Sequence, residues 1–242
     1  MSNFIKSFLY NAYALKAHRM QYVPILFILI ISQFISISGI KDNMTMLIAI
    51  LTISIIFISA PLIISICRNV TLLEGVENQY TSFFKKDYFS LYIRKLVSLM
   101  ISMLVITVFI IIINQTILLI LNNDNLAKFL YPISLVYIIY IYTRILFILP
   151  AAAIGDDISV LDSFKLSKCY PIKIFISYIA LISIYSAPSF FIYFFNLVEN
   201  IKNNNILLYT YSLLSILIVI AELISQTALI SLYYKEIREQ AR

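Results

Sequence analysis

Six apolar runs, each long enough to cross a bilayer, constrain this chain more than any other feature of its sequence. They occupy residues 23–40, 44–67, 96–121, 129–150, 172–198 and 206–234. About twenty apolar residues in a helix cover the hydrocarbon thickness. In lipid every backbone polar group must be satisfied internally, so runs of this kind form helices. With 62% hydrophobic residues, 12% charged and only three Gly, the chain has too little polar surface to cover a soluble globule of its size. The sequence therefore predicts an all-α, polytopic membrane protein: six transmembrane helices plus short interfacial helices, in one domain over residues 1–242.

The cations set the orientation. Fourteen Lys and Arg fall in the N-terminal segment, the 68–95 and 151–173 loops and the tail, whereas the 41–43, 122–128 and 202–205 turns hold one each. That bias puts both termini on the cytoplasmic side. A net charge of +6 gathered beside apolar runs reports membrane orientation rather than nucleic acid, because no basic stripe lies elsewhere. Residues 1–21 lack an apolar stretch ending in a cleavage site, so the first span is expected to be an uncleaved anchor. Phe4, Ile5, Phe8, Leu9, Ala12 and Leu15 form a stripe beside Lys6, Lys16 and Arg19, which predicts a helix lying on the headgroups. Tyr80, Phe84, Tyr88 and Leu91 predict a second one leading into span three. Pro24 is placed in the first turn of span one, and Pro188 is expected to kink span five. Trp is absent, and Tyr22, Tyr131, Tyr209, Tyr233 and Tyr234 take the interfacial positions.

Two charges lie well inside predicted spans, Arg144 and Glu222. An ionised side chain near mid-bilayer costs about 2.5–3.5 kcal/mol on insertion scales, so such groups usually face the bundle and find a partner. Their depths differ by about four residues, or about 6 Å, which makes an Arg144–Glu222 ion pair the leading expectation. Tyr137 and Tyr140 offer polar support to Arg144. Ser215, Ser225 and Gln226 do so for Glu222. Gln33, Asn114, Gln115 and Thr116 lie in the outer half, where such residues bond across helices.

The segment 142–173, YTRILFILPAAAIGDDISVLDSFKLSKCYPIK, interrupts the apolar pattern most sharply. Asp156 or Asp157 is expected to cap a short helix, and Ser159 with Asp162 resembles a capping box. Lys165 and Lys168, like Lys85 and Lys86 in the earlier loop, would then face water or anionic lipid. Helix capping explains the paired aspartates more cheaply than an acid–base or metal site. His18 is the single histidine and has no companion at a ligand spacing, so neither metal nor cofactor is expected. Cys67 and Cys169 fall on the cytoplasmic side and are expected to stay free thiols. No phosphate loop, nucleophile elbow or HExxH helix is present, and the sequence predicts no enzyme.

Arg144, then Leu149-Pro150, then Asp156-Asp157, then Ser163-Phe164-Lys165-Leu166-Ser167-Lys168 before the next span resembles the YciC-like integral membrane proteins. These are similar to the membrane domain of certain glycerophosphodiester phosphodiesterases. The ending ALISLYYKEIRE at 228–239 resembles that family's last span, with its closing Tyr and basic tail. The topology likeness covers the whole chain and the motif about a sixth of it. No catalytic barrel accompanies these residues, so phosphodiesterase activity is not implied. The resemblance implies a bacterial inner-membrane protein. Three functions are weighed: a non-enzymatic envelope scaffold, or partner of a membrane or lipid-handling component; a transporter or channel for a small solute or lipid around Arg144 and Glu222; and an intramembrane enzyme, for which the sequence offers no constellation. The expected partners are membrane lipids and another membrane protein or a second copy of the chain.

Overall fold

A computed structural model describes residues 2–37, 45–72, 87–121, 126–195, 201 and 205–240, and among them every regular element is helical. In chain order these are α1 (Asn3–Ala17), α2 (Arg19–Ile37), α3 (Thr45–Leu72), α4 (Asp87–Leu121), α5 (Ala127–Ile145), α6 (Ile148–Ala153) and α7 (Val160–Leu166). A single 3-10 turn at Ser167–Cys169 leads into α8 (Pro171–Phe194), and α9 (Asn205–Gln240) ends the bundle. Among the described residues five spans are long and apolar enough to cross a membrane, with α5 and α6 together forming one of them. A sixth is counted if α1 and α2, bent by 94° at their junction, act as one span.

α9 is the central post. It has neither Pro nor Gly in 36 residues and runs for about 54 Å. It packs chiefly on α1, α3 and α8, while α4 closes the far side against α5 and α6. The Asn3 side-chain amide donates to Glu236 at 2.7 Å, so the two ends of the described chain lie at the same end of the bundle.

Several details refine the sequence expectations. α1 packs on α9, and the face turned inward is Ser7, Asn11, Ala14 and His18, while Ile5, Phe8 and Leu9 of the apolar stripe are exposed together with Tyr13. In lipid an apolar side chain gains little by leaving its solvent, so small and polar groups mark the packed face. α2 begins at Arg19, which puts Pro24 inside the helix. The residues expected to form a separate interfacial helix before span three are partly the first turns of a continuous 35-residue α4, and residues 73–86 lie outside the described part. α8 runs through Pro188 as one helix.

Packing is uneven along the bundle axis. The buried core is drawn from the second half of α3, the first turns of α4 and α8, the α5–α6 junction and the last half of α9. All of these lie at the end that carries the termini. Toward the other end α4 exposes Leu104, Val105 and Phe109, and α8 exposes Phe190 and Phe191.

Candidate functional site

The segment between α5 and α8 forms a strap across the closed end of the bundle, and its shape starts with Pro150. Proline has no amide hydrogen and its ring crowds the carbonyl four residues back. The α-helical ladder therefore lapses at Leu146 and Phe147, and the Leu149 amide donates to the Leu146 carbonyl at 3.1 Å instead of continuing the α pattern. The carbonyls of Arg144 and Ile145 are left over. Ser163 of α7 supplies both, its hydroxyl lying 3.1 and 2.8 Å from them. A break in one helix thus becomes the docking point for another.

Arg144 makes the second attachment. Its Nε donates to Ser167 Oγ at 2.9 Å and an Nη donates to the Phe164 carbonyl at 2.8 Å. The guanidinium lies 3.6 Å from the Phe164 ring centroid and 5.7 Å from that of Tyr140. A buried cation is costly unless its donors are satisfied. Here the last turn of α7, whose carbonyls point toward the charge, provides that satisfaction. The expected Arg144–Glu222 ion pair is not formed. Glu222 instead accepts from Gln226 Nε2 at 2.8 Å, one turn along its own helix. The two helices share α8 as a neighbour, and the α7 carbonyl and hydroxyl meet the guanidinium first.

Beyond Pro150 the chain reverses. α6 ends with Gly155 at φ +92°, the Asp156 amide donating to the Ala151 carbonyl at 2.9 Å and the Gly155 amide to Ala152 at 3.1 Å. This is the left-handed helix stop that favours glycine. Ser159 and Asp162 then form the capping box of α7, as its sequence spacing predicted. The aspartates expected to cap do something else. Asp156 accepts from Tyr234 at 3.0 Å and pairs with Arg238 at 3.4 Å, tying the strap to α9. Asp157 pairs with Arg94 at 3.2 Å and with Lys95, tying it to α4. Arg68 adds a tie from α3, donating to the Ala153 carbonyl at 3.1 Å with its guanidinium 4.2 Å from the Tyr88 ring centroid. The ammonium of Lys95 beside Asp157 holds that carboxyl below the usual range, with Arg94 adding to the effect. The Ser159 hydroxyl and amide do the same for Asp162.

The other predicted residues divide. Tyr137 is exposed on α5, away from Arg144. Ser225 is buried and bonded to Tyr185 and to Asn11 of α1, and Ser215 bonds within its own helix, so neither supports Glu222. Gln226 does, and it also accepts from Tyr178 at 3.0 Å. Lys165 lies 3.9 Å from Asp162, and Lys168 is exposed. Lys85, Lys86 and the side chain of Gln33 lie outside the described residues. Asn114 and Ser134 exchange hydrogen bonds at 2.9 and 3.1 Å, and Gln115 donates to Tyr131. Tyr233 and Tyr234 are buried rather than interfacial, because the packed end of the bundle encloses them.

A cavity of about 380 Å³ lies behind the strap, between α3, α4 and α9. Its lining is mainly Ile, Leu and Met, with the polar residues Tyr92, Tyr142, Tyr178 and Gln226 among them. Neither Arg144 nor Glu222 lines it. At its closed end Cys67 and Tyr92 are almost wholly buried, whereas the lining residues Met100 and Val219 toward the other end are exposed. Sequence inspection placed Ser163 and Ser167 in the motif of the resemblance without a role, and missed Tyr92. The signal for the serines was their i, i+4 spacing on a short helix following a proline break. For a tyrosine in an apolar run there was none. Comparison of the chain with protein-family models, with curated proteins and with solved structures gave no match.

Proposed function

We propose that this chain is a non-enzymatic multi-pass protein of a bacterial inner membrane, with both termini in the cytoplasm, serving as an envelope scaffold or as the partner of a membrane or lipid-handling component. The observation that carries this reading is the use made of Arg144. Arg144, a buried cation in the α5–α6 span, has its Nε and one Nη engaged by the strap, where it fixes architecture rather than facing a passage. The clustering of Arg68, Arg94, Lys95 and Arg238 at the end that holds the termini supports the orientation. The order of residues from Arg144 to Lys168 supports kinship with the YciC-like proteins.

The second reading, a small-solute or lipid transporter or channel, is favoured by the cavity and weakened by the absence of Arg144 and Glu222 from its walls. Affinity purification of the full chain from membranes, with protein and lipid identification, separates the two when combined with flux assays in liposomes. A stable protein partner with silent liposomes is the expected outcome. Flux that disappears in Arg144→Ala would overturn it. Reporter fusions after Lys41 and Lys165 test the topology, and a cytoplasmic signal at Lys41 would refute it.

A further inference from the structure

We infer that the cavity behind the strap is a binding site for an uncharged lipid with a small, carbonyl-bearing polar end. The inference deepens the lipid-handling reading above and rests on it in part. Tyr92 is fully buried, lines the cavity, and its hydroxyl has no hydrogen-bond partner. A buried donor left unmade is costly, and a ligand acceptor would remove that cost. About 380 Å³ falls within the range of small-ligand sites, roughly 300–1,000 Å³.

The surroundings narrow the chemistry. Among the described residues no cation lines the walls, so a phosphate or carboxylate head would enter unpaired by them. Tyr92 sits one helical turn before Lys95, whose pairing with Asp157 ties the strap to α4 at that end. Met100 and Val219 are exposed toward the loosely packed half, where the bundle meets acyl chains. The ligand therefore enters sideways from lipid, places its polar end by Tyr92, and leaves its tail among Leu, Ile and Met side chains. The carbonyl of an isoprenoid quinone and the ester of a diacylglycerol both meet this description.

The test is titration of the full chain in nanodiscs with decylubiquinone and, separately, dioctanoylglycerol, alongside lipid extraction from the purified protein. Saturable binding of one or both is expected, and which of them binds identifies the source of the carbonyl. Tyr92→Phe removes only the hydroxyl and should weaken binding about fivefold, the worth of one hydrogen bond. Its unliganded thermal stability should be equal or higher, which a purely structural tyrosine would not give. Ser59→Phe fills the cavity from α3 and should abolish binding; Ser59 hydrogen-bonds only to its own helix, at 2.9 Å to the Ile56 carbonyl. Equal binding by all three proteins, no binding by the parent chain, or preferential retention of anionic phospholipid would overturn the inference. A copurifying protein partner without neutral lipid would overturn it while leaving the scaffold reading intact.

Discussion

The two ends of this bundle are made from similar helices and held together by different means. At the strap end, α3, α4, α5 and α9 are each tied to the 142–170 segment by a named polar contact: Arg68 to Ala153, Lys95 to Asp157, Ser163 to Ile145 and Tyr234 to Asp156. At the other end the described interhelical polar contacts are few, chiefly Asn114 with Ser134 and Gln115 with Tyr131. There the large apolar side chains of α4 and α8 face outward. In water such faces would collapse together. In a bilayer they have no reason to, since lipid tails are as apolar as the side chains. Tight packing therefore appears only where polar groups and broken backbone require partners.

The largest expected effect breaks the tight end. Arg144→Ala removes two charge-assisted hydrogen bonds and the stacking on Phe164, and should cost about 3 kcal/mol in detergent unfolding. Arg144→Lys should recover little, because an ammonium reproduces neither the fork nor the planar stack. Glu222→Gln should stay within about 0.5 kcal/mol, since the amide can still meet Gln226. If the exchange Arg144→Glu with Glu222→Arg restored what each change lost, the two residues would be partners and the assignment of Arg144 to the strap would be wrong.

Next in size is the reversal at Gly155. An alanine there meets no neighbouring atom, so the cost is backbone strain alone, about 1–2 kcal/mol. Gly155→Asn should cost less than Gly155→Ala, because asparagine tolerates the left-handed region better. Equal losses in the two variants would point to something other than φ.

These two positions also show what could be read in the sequence and what could not. Helices, span positions and the α7 capping box follow from local rules: apolar length, cap chemistry and a proline break. Arg144 stood out because a charge in an apolar run is expensive wherever it ends up. Its partner did not stand out, because Phe164 contributes a backbone carbonyl, and every residue has one. Asp156 and Asp157 looked like caps by spacing, but their acceptors are taken by Arg238 and Lys95, far away in the chain. For α1 the apolar stripe was legible and the packed face of Ser7, Ala14 and His18 was not, since in lipid small and polar groups mark the side that meets other helices.

A smaller effect tests the loose end. Asn114→Val deletes a reciprocal bond to Ser134 and should cost about 0.6 kcal/mol, the average for interhelical hydrogen bonds in membranes. A loss as large as that of Arg144→Ala would mean that the loose end is as tightly specified as the strap end, and the contrast between the ends would fail.

The smallest expected effect is on pH, and it again separates the ends. Asp157 has its pKa lowered chiefly by its hydrogen bond to Lys95, and Asp162 by Ser159. A carboxyl whose folded pKa lies below its unfolded value stabilises the fold above the unfolded value, near 3.9 for Asp, and loses that contribution as pH falls through the depressed one. From pH 7 down to about 5 the strap should therefore be unchanged, and further acidification should loosen residues 155–166. Both carboxylates are well exposed, so the loosening is small and local. Hydrogen exchange, corrected for its intrinsic pH dependence, should rise below pH 4 in this segment and not in the α4 or α5 residues of the loose end. In Asp157→Asn the Lys95 tie is already lost, so its exchange at neutral pH should resemble that of the acidified parent. A uniform rise along the bundle would mean that the strap and the loose end open together, and that the polar end does not hold independently.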